Sequence, residues 1–275
     1  MQVRIYWGGN MDEDYVLERL YDGCPYKKWF IPLDEYEPSD LAVVMGVYKK
    51  HVPRSYKRGH VIAEQHKRKL DVLVVETGFL NRGEGRTNHY AVGLNGLNGR
   101  GDYKNANSPP DRREKLGVKL EPWKEGHHVL LCGQVPWDAS VDFTNHREWL
   151  EKTARAINLH TARPVIFRPH PKCKMAPIAG TVYSTRPLSQ DLDDCHAVVT
   201  FNSNTAVEAV IQGIPVFAAD VGSMAMPVAN ADLKRVEEPL KPDREQWLND
   251  LCYAQWTPDE MKEGFPWRHL FSTST

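Results

Sequence analysis

The sequence predicts an α/β protein of two halves, each built from βαβ units around a mainly parallel sheet. Short runs rich in Val and Ile alternate with segments of helical period along the whole chain. A polar stretch from 99 to 126, carrying Asn-Ala-Asn-Ser-Pro-Pro and Glu-Pro-Trp, interrupts that alternation. The length of 275 residues suits one large domain or two compact ones. The expected division is therefore residues 1–125 and residues 126–275, the latter including the C-terminal helices.

In the first half the strands are Val3–Trp7, Leu41–Val47 and Asp71–Glu76. Between the first two, residues 12–23 place Tyr15, Leu17, Leu20 and Tyr21 at helical spacing, and Gly23 stops the helix. In the second half the strands are His128–Cys132, Pro164–Arg168, Thr181–Ser184, Ala197–Phe201 and Pro215–Ala219. Helices fit His146–Leu159 and Thr205–Gln212. Two such halves would form a cleft where the carboxyl ends of both sheets supply ligand groups.

A hydrophobic fraction of 41% and a charged fraction of 26% exclude a disordered chain, a disulfide scaffold and a membrane span. No stretch approaches the ~20 apolar residues needed to cross a bilayer. The opening MQVRIYWGG reads as a strand rather than a signal peptide, because Arg4 interrupts the apolar run. Cys24, Cys132, Cys173, Cys195 and Cys252 include no C-x-x-C pair, which points to reduced thiols, no zinc site and a cytoplasmic setting. The net charge of −1 argues against a uniformly basic nucleic-acid binder. Its distribution is uneven: residues 48–119 carry +9, and the flanking segments carry −5 each.

The most informative segment runs from Ala197 to Phe217, where a strand enters the turn Asn202-Ser203-Asn204-Thr205, then a helix, then a strand after Gly213. Hydroxyls, amides and backbone N–H groups at a helix start can seat a phosphate. Equally, Thr205-x-x-Glu208 fits a capping box with a structural glutamate. Upstream, Arg168-Pro169-His170-Pro171 ends a strand, and the two prolines fix the imidazole at its carboxyl end. There His170 can donate to a phosphate oxygen, with Arg168 adding charge.

In the first half, Glu76-Thr77-Gly78 closes a strand, and Glu76 can take a proton from an attacking hydroxyl. The Gly/Asn-rich stretch that follows lets backbone approach a ligand. Its candidate contacts are Arg82, Arg86, Asn95, Asn98 and Arg100, joined by the turn residues Gly8 and Gly9. No phosphate-loop or dinucleotide fingerprint is present, which discounts kinase, ATPase and nicotinamide readings. Asp191-Leu192-Asp193 formally matches an acidic D-x-D, but its place after Ser189 reads as a capped helix start with acids in the first turn. No metal is expected.

These motifs carry a resemblance. The His-Pro strand end, together with S-N-T-A-V-E-A-x-x-x-G-x-P-V from Ser203, resembles the carboxyl-terminal half of GT-B glycosyltransferases. It is most similar to the bacterial capsular Kdo and polysialic acid transferases, over residues 128–220. Glu76-Thr77-Gly78 is similar to the motif carrying their catalytic carboxylate. The resemblance implies two Rossmann-like domains facing a cleft, with Glu76 catalytic. It implies His170 and Ser203 or Thr205 for the donor's phosphate, and Glu208 for ribose; Arg168, Asn202 and Asn204 complete the candidate donor site. A nucleotide sugar, with a UDP-sugar expected, is then the co-substrate, and no other cofactor is required.

For the acceptor, residues 49–69 carry eight Lys/Arg against one Glu: Lys49, Lys50, Arg54, Lys57, Arg58, Lys67, Arg68 and Lys69. Such a run is either a solvated helix face or a phosphate-backbone contact. In size and charge layout the chain resembles phage enzymes that glycosylate 5-hydroxymethylpyrimidines in DNA. The leading expectation is sugar transfer onto double-stranded DNA by a monomer or weak dimer, in the cytoplasm of an infected bacterium if phage-encoded. The alternatives are a transferase of surface polysaccharide or glycolipid synthesis, and a non-catalytic nucleotide-binding protein of the same fold.

Overall fold

Strand β3 (Leu41–Met45) is apolar at every position and every residue is buried. Leu41, Val43 and Met45 pack into one cluster, and Ala42 and Val44 into another on the opposite face. A strand covered on both sides needs no polar alternation, which is why it reads as a continuous apolar run. The structure is a computed structural model and describes residues 1–47, 49, 53–83 and 88–272. It divides into two compact units, residues 1–116 with 248–275, and residues 117–247.

The first unit holds a six-stranded sheet. Its strands are β1 (Gln2–Trp7), β2 (Lys27–Pro32), β3, β4 (Asp71–Thr77), β5 (Tyr90–Leu94) and β11 (Gln255–Trp256), in the spatial order 11-5-4-3-1-2. The four from β2 to β4 are parallel, and β5 and β11 run antiparallel at the far side. Helix α1 (Met11–Gly23) buries Val16, Leu17 and Leu20 against one face. On the other face, α2 (Pro53–Lys67) buries Val61. The order 2-1-3 places the topological switch point between β1 and β3, beside the residues that follow Trp7 and Met45.

The second unit is an all-parallel five-stranded sheet in the order 10-9-6-7-8. It comprises β6 (His128–Cys132), β7 (Val165–Arg168), β8 (Val182–Tyr183), β9 (Cys195–Thr200) and β10 (Val216–Ala218). Helices α4 (His146–His160), α5 (Leu188–Leu192) and α6 (Thr205–Ile211) connect them. Its core joins Val129 and Leu131 of β6 to Leu150, Ala154 and Ile157 of α4. The switch point lies between β6 and β9.

Two expectations about organisation change. The stretch 99–126 is not a free linker: α3 (Asp111–Leu116) inserts the buried Arg112 into the first unit. Past it, Glu121 and Lys124 donate backbone N–H groups to Ile211 and Gly213, at 2.9 and 2.7 Å. The C-terminal helices also depart from the expected second half. After α7 (Glu245–Cys252), strand β11, α8 (Pro258–Lys262) and α9 (Phe265–Phe271) pack on the first unit, and Trp267 donates to the Leu20 carbonyl at 2.9 Å. Burial of Trp256, Met261 and Trp267 in the α1 cluster holds them there.

Candidate active site

In the second unit, the ends of β6 and β9 are tied across the switch point. Gln134 Nε2 donates to Asn202 Oδ1 at 2.7 Å, and the Asn202 backbone N–H donates to Gln134 Oε1 at 3.0 Å. Asn202 Nδ2 donates to the Ser140 carbonyl and to Asp220 Oδ1, both at 2.8 Å. Asn202, expected as a donor ligand, is thus a buried brace whose polar groups are engaged. The neighbouring turn is largely self-satisfied: Ser203 N–H donates to Thr200 Oγ1, and Thr205 N–H to Ser203 Oγ, both at 3.2 Å. Two of its backbone donors, those of Ser203 and Thr205, are thus engaged within the turn. With only seven residues, α6 also supplies a weak dipole.

The hydroxyls of Ser203 and Thr205 lie 3.2 Å apart on this braced turn. The anticipated capping box does not form. Asn204 is the N-cap and makes no side-chain capping hydrogen bond, and Thr205 is the first helical residue. Glu208 is half-buried, and its charge helps burial push the Cys132 thiol up, which places the carboxylate within electrostatic reach of the end of β6.

His170 follows β7, and its Nδ1 accepts from the Lys172 N–H at 3.1 Å. Accepting there puts the neutral ring's proton on Nε2, the nitrogen that can donate. Arg168 departs from its expected role. Its Nη1 pairs with Asp191 Oδ2 at 2.7 Å, and Asp191 is fully buried. Arg186 Nε and Ser184 Oγ complete the shell around Asp191 at 3.0 and 2.7 Å. Asp191 lies in the first turn of α5 as expected and is also an internal counter-ion, whereas Ser189 is not the cap, since Pro187 holds that position. Among the described residues no three His, Cys, Asp or Glu side chains gather as a metal cluster.

His146 braces the segment that follows β6 and carries a testable consequence. Its Nε2 accepts from the Gln134 N–H at 2.9 Å, and its ring stacks on Trp149 with centroids 5.5 Å apart. Burial pulls its pKa down to about 4, from an ordinary 6.5. The folded state therefore binds fewer protons than the unfolded chain between these values. Stability from this group is complete above pH ~6.5 and is lost as pH falls toward 4, roughly 3 kcal/mol in all. Urea unfolding at pH 7.5 and pH 5 is expected to show a smaller pH-dependent loss for His146→Asn than for the wild type; equal losses contradict the assignment.

In the first unit, Glu76 is the penultimate residue of β4, the strand next to β3, and its Oε1 accepts from the Thr77 N–H at 3.0 Å. Gly46 continues β3, donating its N–H to the Val75 carbonyl at 2.7 Å, with φ at +74°. A Cβ at residue 46 would stand 3.1 Å from Arg58 Nη1 and 3.5 Å from Glu76 Oε2. Arg58 itself pairs through Nη2 with Glu13 Oε2 in the first turn of α1. Burial pushes the Glu13 carboxyl up, with Arg58 opposing and the Glu76 charge adding to the rise. Beside Glu13 and Arg58 opens a cavity of about 520 Å³, which Trp7, Gly8, Asp34 and Lys57 also line.

Glu13 was hidden among the helix-start acids Asp12, Glu13 and Asp14, and no spacing signal links it to Arg58. The remaining first-half candidates divide. Gly8 lines the cavity, and its N–H donates to Asp14 Oδ1 at 2.9 Å. Gly9 has φ +76°, and Arg82 is exposed beyond β4. Asn95 instead braces the start of β4, accepting from Val72 N–H at 2.9 Å and donating to Asp71 Oδ1 at 2.8 Å. Asn98 and Arg100 share the 3-10 turn that follows. At ~3.3 Å per residue, the start of β4 lies about 16 Å from Glu76.

Half of the basic run is ion-paired. Lys57 meets Asp34 at 2.8 Å, and both Lys67 and Arg68 meet Glu64. The Lys49 backbone is bound to Ser55 Oγ, and exposed Lys69 follows α2 with φ +58°. Lys50, Arg86 and the side chain of Arg54 lie outside the described residues.

The sequence matches no family model and no curated protein. The fold does have counterparts. It is similar to Thermosulfurimonas dismutans KpsC, beta Kdo 2,4 transferase, with a TM-score of 0.60 and 13% identity, over 92% of this chain and 90% of that one. It is similar also to the beta Kdo 2,7 transferase of the same organism's KpsC, with a TM-score of 0.56 and 12% identity, over 96% of this chain and 98% of that one. The chain thus has the α/β fold of GT-B glycosyltransferases, with a mainly parallel sheet in the first unit and an all-parallel one in the second. These counterparts do not show the expected likeness to phage DNA glycosyltransferases. Among the described residues no helix is long and apolar enough to cross a membrane.

Proposed function

We propose that the protein is a glycosyltransferase that moves a sugar from a nucleotide sugar, a UDP-sugar in the first instance, to a hydroxyl acceptor. The observation that carries this reading is the placement of chemistry at strand carboxyl ends beside both switch points, within a fold shared with two Kdo transferases. Glu76 is the base in the first unit. In the second, His170 and the Ser203 and Thr205 hydroxyls hold the donor's phosphate, and Glu208 holds its ribose.

The acceptor we favour is a saccharide hydroxyl. The ion pairs of Lys57, Arg58, Lys67 and Arg68 offset part of the charge that a DNA backbone would need. Mass spectrometry tests both readings, with UDP-, dTDP- and CMP-sugars offered against methyl glycosides and against duplex DNA containing 5-hydroxymethylcytosine. Transfer to the glycosides supports the saccharide reading, transfer to DNA restores the nucleic-acid reading, and turnover of none removes the enzyme. Loss of one charge-assisted hydrogen bond in His170→Ala is expected to weaken donor binding by about 10- to 100-fold. Calorimetry that finds unchanged donor affinity removes His170 from the site.

A further inference from the structure

We infer that Arg58 holds the acceptor hydroxyl against Glu76, and that Glu13 is the positioning residue that holds Arg58; this rests on Glu76 being the base of the proposed transfer. Three observations converge. The ion pair of Arg58 goes to Glu13 through Nη2, which directs Nη1 to the Gly46 side, where Glu76 Oε2 also lies. The two groups stand 3.1 and 3.5 Å from the point that a side chain on residue 46 would occupy, so glycine keeps the space between them open. The Arg58 Nε is buried with no partner among the described residues, on a side chain only 13% exposed. Arg58 also lines the 520 Å³ cavity, and its guanidinium carries five N–H donors, more than the pair with Glu13 through Nη2 engages, which suits an incoming oxygen at Nη1.

Arginine is suited to the task because it stays cationic and does not compete for the proton, and its fork donates to two acceptors at once. The acceptor oxygen takes a hydrogen bond from Arg58 and gives its own hydrogen to Glu76 Oε2. As that oxygen bonds to the anomeric carbon, the bond from this carbon to the donor's phosphate oxygen breaks. The nucleotide leaves with the electron pair, and Glu76 keeps the proton. Trp7 and Asp34 in the same cavity offer the apolar face and the hydrogen-bond acceptor that suit the ring and neighbouring hydroxyls of a saccharide.

The test uses the full chain with the nucleotide sugar and methyl glycoside that turn over in the screen above. Arg58→Gln is expected to lower kcat by about 100-fold, the scale of one lost transition-state donor, with donor affinity unchanged. Arg58→Lys keeps the charge and the Glu13 pair but loses the fork, and is expected to recover about 10-fold of that loss. Glu13→Gln is expected to lower kcat by about 10-fold, again with donor affinity unchanged, because Arg58 is no longer fixed. Wild-type kcat in Arg58→Gln or Arg58→Lys overturns the inference, as does a loss that follows donor affinity. If Arg58→Gln does not fold, Arg58→Lys decides by the same readings. Glu76→Gln separates the two levels: retained turnover there removes the underlying assignment of the base, whereas lost turnover there beside unaffected Arg58 variants removes only the role of Arg58.

Discussion

Glu76→Gln is expected to lose about 100- to 10,000-fold of turnover while binding the donor as the wild type does. The amide is nearly isosteric, so the contact with the Thr77 N–H at 3.0 Å survives. What it cannot do is accept the acceptor's proton. Because Glu76 is the penultimate residue of a strand of the first unit and the donor residues belong to the second, a catalytic role predicts a fall in kcat with donor affinity intact. Isothermal titration with the donor, beside steady-state rates, separates the effects. A variant that still turns over removes Glu76 as the base, and one that loses donor affinity moves the residue into donor binding.

The second large effect is on stability. Arg112 is 6% exposed and meets Glu260 at 3.1 and 3.2 Å, the Gln255 carbonyl at 2.8 Å and the Cys252 carbonyl at 3.0 Å. Its guanidinium also lies 3.9 Å from the centre of the Trp256 ring. Burial alone would raise the Glu260 carboxyl, but hydrogen bonds from Arg112 and Lys115 hold it down at about 2. Removing Arg112 leaves a buried carboxylate short of its main partner, so Arg112→Met is expected to cost about 3–5 kcal/mol. Adding Glu260→Gln removes the stranded charge and is expected to recover part of that cost. Denaturant unfolding measures both, and a cost under about 1 kcal/mol would show that the cluster does not anchor the C-terminal segment.

The central strands of the second sheet, β6 and β9, were legible because they are parallel and buried at every position, so each appears as a largely apolar run closed by a turn. The edge and antiparallel strands of the first sheet were not. Strand β2 begins Lys27-Lys28 and buries no residue completely, and Lys28 bonds the carbonyls that end α1. Strand β5 lies in the Gly/Asn-rich region, where Gly93 signals close packing rather than a loop: a Cβ there would meet the Tyr103 ring at 2.7 Å. The candidate residues show a similar limit. Position at a strand end singled out Glu76, His170 and the Ser203–Thr205 turn as candidates, because chain direction alone places them at the carboxyl ends of β4, β7 and β9. Partners distant in sequence decided the others, as Asp191 did for Arg168, Gln134 for Asn202 and Glu13 for Arg58.

The return of residues 248–275 to the first unit imposes an order on folding during synthesis. Residues 117–247 form one continuous segment and have their whole sheet once they leave the ribosome. The first unit emerges earlier but must wait for Trp256, Met261 and Trp267 to cover α1 and complete its core. Until then Val16, Leu17 and Leu20 lack their C-terminal cover. The half translated first is thus the half finished last, and its nascent α1 face is where a chaperone would be needed.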